Sequence, residues 1–218
     1  MRLGIDFGTT RTVVAAVDKG RYPLATFETP EGMKDYLPGL ACQREGELAF
    51  GWEGDTALRS IKRILGQLWP EDPVPGLEGV HALGLATAYL RWVRDMLLTR
   101  SNLELTADEP LEVMVAVPAH AGTGQRYLTV EAFQQAGFQV LGLISEPTAA
   151  AIEFAERNLT ALGKRSPKRY VVVYDLGGGT FDSSAVSLAG RRFDLLKTEG
   201  IARLGGDDFD EVLLAMAF

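Results

Sequence analysis

The chain carries one local pattern twice, and this repeat is the tightest constraint on how it can fold. Leu3-Gly4-Ile5-Asp6-Phe7-Gly8-Thr9-Thr10 is an apolar strand that stops at an acid and a Gly-Thr-Thr turn. A strand, a Lys19-Gly20 turn and a further strand follow it. Val172-Val173-Tyr174-Asp175-Leu176-Gly177-Gly178-Gly179-Thr180 has the same grammar, followed by a strand, Ala189-Gly190 and a strand. Repeats of this size report duplicated structural units. The duplication predicts two lobes whose related loops face each other across a cleft.

The chemistry of the two loops suits a nucleoside triphosphate. Glycines let backbone N–H groups approach phosphate oxygens with no Cβ in the way. The hydroxyls of Thr9, Thr10 and Thr180 add neutral donors at the same place. Asp6 and Asp175 would repel a polyphosphate unless a cation intervened, and magnesium prefers oxygen ligands while keeping several waters. A glycine turn alone is as readily a tight hairpin; two with matching acids point to a ligand. The Gly-x-x-x-x-Gly-Lys-Ser/Thr pattern is absent, so the phosphate grip is of another kind.

Between the repeats the pattern changes twice. Tyr22–Phe27 reads as a third strand after Thr12–Val17, and residues 29–109 mix short strands with helical stretches. A helix is predicted from Leu83 to Thr99, with Ala86, Leu90, Val93 and Leu97 on one face at core spacing. From Leu111 strand and helix alternate. Val113–Val117 is a buried-type strand ended by Pro118, Thr123–Ala136 a helix, Val140–Ile144 a strand, and Pro147 opens another helix. Tyr170–Tyr174 is an apolar strand running into Asp175. Such an order predicts an α/β fold, a mixed sheet with helices on both faces.

Composition excludes several functions. Lys and Arg are outnumbered by Asp and Glu, 22 to 29, for a net charge of −7, which disfavours nucleic acid or an anionic membrane as partner. The basic stretch Lys164-Arg165-Ser166-Pro167-Lys168-Arg169 reads as a solvated loop. Cys42 is the only cysteine, so no internal disulfide or cysteine-rich zinc site forms. His81 and His120 stand far apart, without metal-ligand spacing. Asp6 interrupts any signal-peptide core, and no apolar run approaches the ~20 residues that cross a bilayer, so a cytoplasmic protein is expected.

With these residues in view, the chain resembles the actin-like ATPase superfamily of sugar kinases, actins and 70-kilodalton heat-shock chaperones. Further stretches favour the chaperones. Ser60-Ile61-Lys62-Arg63-Ile64-Leu65-Gly66 resembles their lysine-bearing helix. Val117-Pro118-Ala119 with Gln125-Arg126 matches their proline strand and following helix, and Glu146-Pro147-Thr148-Ala149-Ala150-Ala151 the segment joining their lobes. Leu204-Gly205-Gly206-Asp207-Asp208-Phe209-Asp210 fits the opening of a second-lobe helix. The resemblance runs in order from Gly4 to about Val212.

The resemblance implies an actin-like, ribonuclease H-like fold with a mixed five-stranded sheet flanked by helices and an inserted α+β subdomain. The first lobe would be residues 1–169, with its core at 1–29 and 110–169 and the insertion at 30–109; residues 170–218 would begin a second lobe. It implies a Mg2+-dependent ATPase. Gly8, Thr9, Thr10, Gly177, Gly178, Gly179 and Thr180 would hold the phosphates of ATP or ADP. Asp6, Asp175 and Asp182 would organise magnesium through water. Lys62 would reach the γ-phosphate and attacking water, with Glu146, Asp175 and Thr180 completing catalysis. Partners implied for a full protein are unfolded client polypeptides and a nucleotide-exchange factor.

Each role has a plainer rival: Lys62 as a solvated helix lysine, Glu146 as a carboxylate favoured by the helix dipole, Asp182 as a strand cap. The chain also departs from the family pattern. Phe7 stands for leucine, and Arg11 for a smaller polar or an aromatic residue; His120, Ala121 and Gly122 replace an aromatic pair and asparagine. Gly142 and Ser145 stand where the family commonly carries the Arg and Asn that meet J-domain co-chaperones, which puts a J-domain partner in doubt. The chain stops at Phe218 within a helical pattern whose Phe209, Val212, Leu213 and Met216 form an apolar stripe. A truncated module that binds ATP weakly alone is the expectation. The alternatives on the same fold are a small-molecule kinase, for which no sugar-side acid stands out, and an actin-like scaffold.

Overall fold

The structure, a computed structural model, describes residues 1–52, 58–62, 66–106, 108–158, 169–188, 192–201 and 203–217. The basic residues 164–168, the Ala189-Gly190 turn and Phe218 lie outside the described residues. The chain divides into two compact units, Met1–Val115 with Ala121–Leu143, and Ala116–His120 with Ile144–Phe218.

The first unit is built on a sheet whose strand order is β10-β9-β1-β2-β5. These strands are β1 (Arg2–Phe7), β2 (Arg11–Ala16), β5 (Leu37–Pro38), β9 (Glu112–Val117) and β10 (Gln139–Ser145). Alternation decides what each face does. Leu3, Ile5 and Phe7 of β1 and Thr12, Val14 and Ala16 of β2 are buried, while Arg2, Gly4, Asp6 and Arg11 point to the open face. The buried face meets helix α1 (Ala82–Thr99) and helix α2 (Thr123–Gln135). Ala86, Leu90, Val93 and Leu97 of α1 are all fully buried, as the helical spacing requires. Each such side chain contributes about 1.5–3 kcal/mol for the larger apolar residues.

Tyr22–Phe27 does not form the expected continuous strand. It runs beside β2 through an isolated bridge, Ala15↔Leu24, flanked by the bonds Ala16 N–H to Pro23 O and Ala25 N–H to Val14 O at 2.9 and 2.8 Å. Pro23 has no N–H to contribute, so the ladder cannot extend. Short strands follow: a hairpin of β3 (Phe27–Thr29) and β4 (Gly32–Lys34), and a three-stranded sheet of β7 (Glu47–Phe50), β6 (Leu40–Arg44) and β8 (Leu58–Arg59).

The second unit holds an antiparallel sheet of β11 (Tyr170–Leu176), β12 (Phe181–Ser187) and β13 (Leu195–Ile201), with helices α3 (Glu146–Arg157) and α4 (Gly206–Ala217). α3 starts where Ser145 caps it: the Ser145 hydroxyl accepts the Thr148 N–H at 3.3 Å, and Pro147 occupies the first turn. α3 packs against β11 and β12 and so belongs to the second unit, whose longer segment opens at Ile144. Val172, Tyr174 and Leu176 are the register counterparts of Leu3, Ile5 and Phe7. They are 45%, 72% and 58% exposed, whereas their counterparts are buried.

Candidate functional site

In the first unit, both stems of the glycine turn are pinned to one buried tyrosine. Phe7 and Thr12 face each other across β1 and β2. The Phe7 ring stacks on Tyr89 at 5.7 Å and meets Phe133 edge-on at 6.4 Å. The Tyr89 hydroxyl donates to Thr12 Oγ1 at 2.9 Å in full burial. Burial pushes the Tyr89 phenol well above its ordinary pKa, which keeps it neutral and able to donate. Between the stems, the Gly8 N–H donates to the Arg11 carbonyl at 3.0 Å and closes the turn. A Cβ on Gly8 would lie 2.4 Å from that carbonyl oxygen, so only glycine fits.

A second glycine clasps this turn from a distance in sequence. The Gly39 N–H donates to the Thr10 carbonyl at 2.9 Å, and a Cβ on Gly39 would stand 2.7 Å from the Thr9 carbonyl oxygen. The Gly39 carbonyl then accepts the Ile61 N–H at 3.4 Å. This relay ties the turn to the start of the segment carrying Lys62. Ile61 and Lys62 are helical, and the Gly66 N–H donates to the Lys62 carbonyl at 3.0 Å; Arg63, Ile64 and Leu65 lie outside the described residues. Ser60, just before, is buried with φ of +60°, a left-handed conformation that costs a non-glycine residue about 1–2 kcal/mol. Thus the turn of Gly8, Thr9 and Thr10 and the segment that opens at Ile61-Lys62 lie in one unit, linked through Gly39, with Asp6 on the open face of the strand that leads into the turn.

The second unit repeats the device. The Gly177 N–H donates to the Thr180 carbonyl at 2.9 Å, the counterpart of the bond from Gly8 to Arg11. The clasp comes from the start of α4. The Gly206 N–H donates to the Gly177 carbonyl at 3.0 Å and the Asp207 N–H to the Gly178 carbonyl at 2.7 Å. A Cβ on Gly205 would stand 2.5 Å from Gly178 C and O and from Gly179 N. Thr9 and Gly178 are matching positions in the two turns, and in each a distant glycine approaches that carbonyl.

Asp175 and Asp182 face each other directly across β11 and β12. Like charges so placed destabilise a sheet unless a cation lies near, which is the arrangement a magnesium ion would relieve. Gly200, opposite Asp182 on β13, makes room for its carboxylate: a Cβ there would fall 2.2 Å from Asp182 Oδ1. His120 Nε2 stands 3.5 Å from the same oxygen and 3.5 Å from Thr198 Oγ1, with Ser184 and Thr198 hydroxyls 2.7 Å apart beneath. Among the described residues no three His, Cys, Asp or Glu side chains form a ready-made metal cage. Glu146 occupies the first turn of α3, where the helix dipole favours it.

The sequence pattern located both glycine turns, and the structure shows each closed by a glycine N–H. The pattern missed Gly39, whose only sequence signal is a Pro-Gly pair at a strand end, and the placing of His120 beside Asp182. It named Gly205 only as part of a motif. At the two positions where the family carries the Arg and Asn that meet J-domains, Ser145 caps α3, and a Cβ on Gly142 would lie 3.5 Å from Met114 Sδ.

Comparison with known proteins adds a family. The family model described as "Hsp70 protein" matches residues 97–218. Chaperone protein HscA of Yersinia enterocolitica is 35% identical over 96% of this chain. The proteins of the same name from Pectobacterium atrosepticum and Serratia proteamaculans are each 34% identical, over 98% and 96% of it. The chain spans 36–37% of the length of these relatives.

Proposed function

From the premise that the chain belongs to the Hsp70 family, we propose that it is the nucleotide-binding module of a chaperone, taking up ATP and ADP with Mg2+ and hydrolysing ATP to drive work on client polypeptides. The observation that carries this reading is the matched pair of turns. Each follows a strand-end aspartate, each is closed by the same glycine N–H bond, and each is clasped by a second glycine. A hairpin needs no such clasp. Its effect is to leave backbone N–H groups and threonine hydroxyls held in fixed positions, as phosphate binding requires.

The roles follow from the chemistry of each group. Gly8, Thr9 and Thr10 hold phosphate oxygens from one turn, and Gly177, Gly178, Gly179 and Thr180 from the other. Asp6, Asp175 and Asp182 bind magnesium through its waters, and the ion supplies charge neutralisation on the polyphosphate. Lys62 places a positive charge at the phosphoryl being transferred. Glu146 and Thr180 orient the attacking water. The two lobes are assigned to residues 1–169 and 170–218, with the short-stranded segment 30–109 as an insertion in the first. A nucleotide-exchange factor and unfolded clients are the partners this reading supports. No helix among the described residues is long and apolar enough to cross a membrane.

Single-turnover ATP hydrolysis by wild type and Lys62→Ala tests the reading. Loss of about a hundredfold in the variant is expected from removing one transition-state charge contact. In the full-length protein an equal rate in both would remove Lys62 from the mechanism, and a full-length wild type that neither binds nor hydrolyses ATP would sink the proposal.

A further inference from the structure

We infer that Arg11 is a phosphate-contacting cation of the nucleotide site; the inference rests on the nucleotide reading above. Matching the two turns by their closing hydrogen bonds, Gly8 N–H to Arg11 O and Gly177 N–H to Thr180 O, sets Arg11 in the place of Thr180. The first turn thus has a guanidinium where the second has a hydroxyl. Strand alternation puts Arg11 on the same open face as Asp6, since Asp6 pairs with Val13 and Arg11 lies two residues from Val13. The face that carries the aspartate therefore also carries the cation.

The guanidinium is already placed. Its carbon lies 4.6 Å from the centre of the Tyr36 ring, and Tyr36 leans in turn on Trp52 at 6.1 Å. Cation–π attraction to the ring holds the guanidinium without consuming an acceptor, and a guanidinium's N–H donors form a fork that grips phosphate through two oxygens. Among the described residues no carboxylate forms an ion pair with Arg11. An exposed arginine whose guanidinium lies over an aromatic ring, one residue past the glycine turn, is partly preorganised for an anion and spends less side-chain freedom on binding it. Arg11 would give the polyphosphate a positive contact that does not depend on the metal.

Titration calorimetry on the full chain with Mg·ADP, and with adenosine as a probe lacking phosphate, tests this. Arg11→Gln is expected to weaken ADP binding by about tenfold while leaving adenosine affinity unchanged. Arg11→Lys, which keeps the charge but loses the fork, should fall between. Equal ADP affinity in wild type and Arg11→Gln would overturn the inference while leaving the nucleotide reading intact. Equal losses for ADP and adenosine with a lowered melting temperature would show a merely structural role and overturn it too. A wild type that binds no nucleotide removes both readings.

Discussion

Gly39→Ala is the sharpest perturbation of the clasped turn. Gly39 has no left-handed φ, so alanine meets no backbone strain there; the cost is a collision. The new Cβ would stand 2.7 Å from the Thr9 carbonyl oxygen, a main-chain atom that no rotamer change can move. Restoring ordinary van der Waals separation asks for a retreat of about 0.7 Å by the turn or by the Gly39 strand, overpacking that typically costs about 1–3 kcal/mol. The bonds from Gly39 N–H to Thr10 O and from Ile61 N–H to Gly39 O stretch together, adding about 1 kcal/mol each if lost. We expect a stability loss of roughly 2–4 kcal/mol in urea unfolding. Displacements of this size at a positioned ligand also cost about tenfold or more in function. Mg·ADP affinity should therefore fall even at temperatures where the variant is folded. Gly4→Ala is the control, since a Cβ there meets nothing within 4 Å. If Gly39→Ala matches Gly4→Ala in both stability and ADP affinity, the clasp does not position the turn.

Removing one member of the facing acid pair should cost the ligand response: Asp182→Asn is expected to abolish the rise in melting temperature that Mg·ADP confers on wild type. Tyr89 makes stability fall at alkaline pH. Its folded-state pKa is raised, so its contribution is complete below the unfolded value near 10 and declines by about 1.4 kcal/mol per pH unit above it. Tyr89→Phe should be less stable by about 1 kcal/mol at pH 7 through loss of the Thr12 bond, yet show a shallower alkaline decline in unfolding titrations. Finally, Leu213 and Met216 of α4 are 62% and 81% exposed beside other apolar residues. The chain should bind a fluorescent apolar probe, and Leu213→Lys with Met216→Lys should lower that signal with no loss of stability.

What was legible in the sequence, and what was not, follows the range of the interactions involved. The turns were readable because an acid, a glycine and a threonine at fixed spacing express a purely local requirement. Helix α1 was readable because Ala86, Leu90, Val93 and Leu97 repeat at the helical period. The clasps were not. Gly39 touches a turn some thirty residues away, and no period or propensity links a glycine to a carbonyl at that distance. The third strand failed on one residue, Pro23, whose missing N–H outweighed the β-prone pattern around it. The apolar residues of β11 show a further limit. Val172 and Tyr174 repeat the pattern of Leu3 and Ile5, but a pattern states which side chains favour cover, not whether α-helices lie over them. Chemistry at the site was legible by type, and the particular neighbours, such as His120 beside Asp182, only from coordinates.

The central proposal is that both turns bind one polyphosphate, and amide hydrogen exchange with and without Mg·ADP addresses it most directly. Exchange should slow together at Thr9 and Thr10 and at Gly178 and Gly179 when Mg·ADP is added, and adenosine should protect neither set. Protection confined to one turn, or absent from both at saturating Mg·ADP, would contradict it.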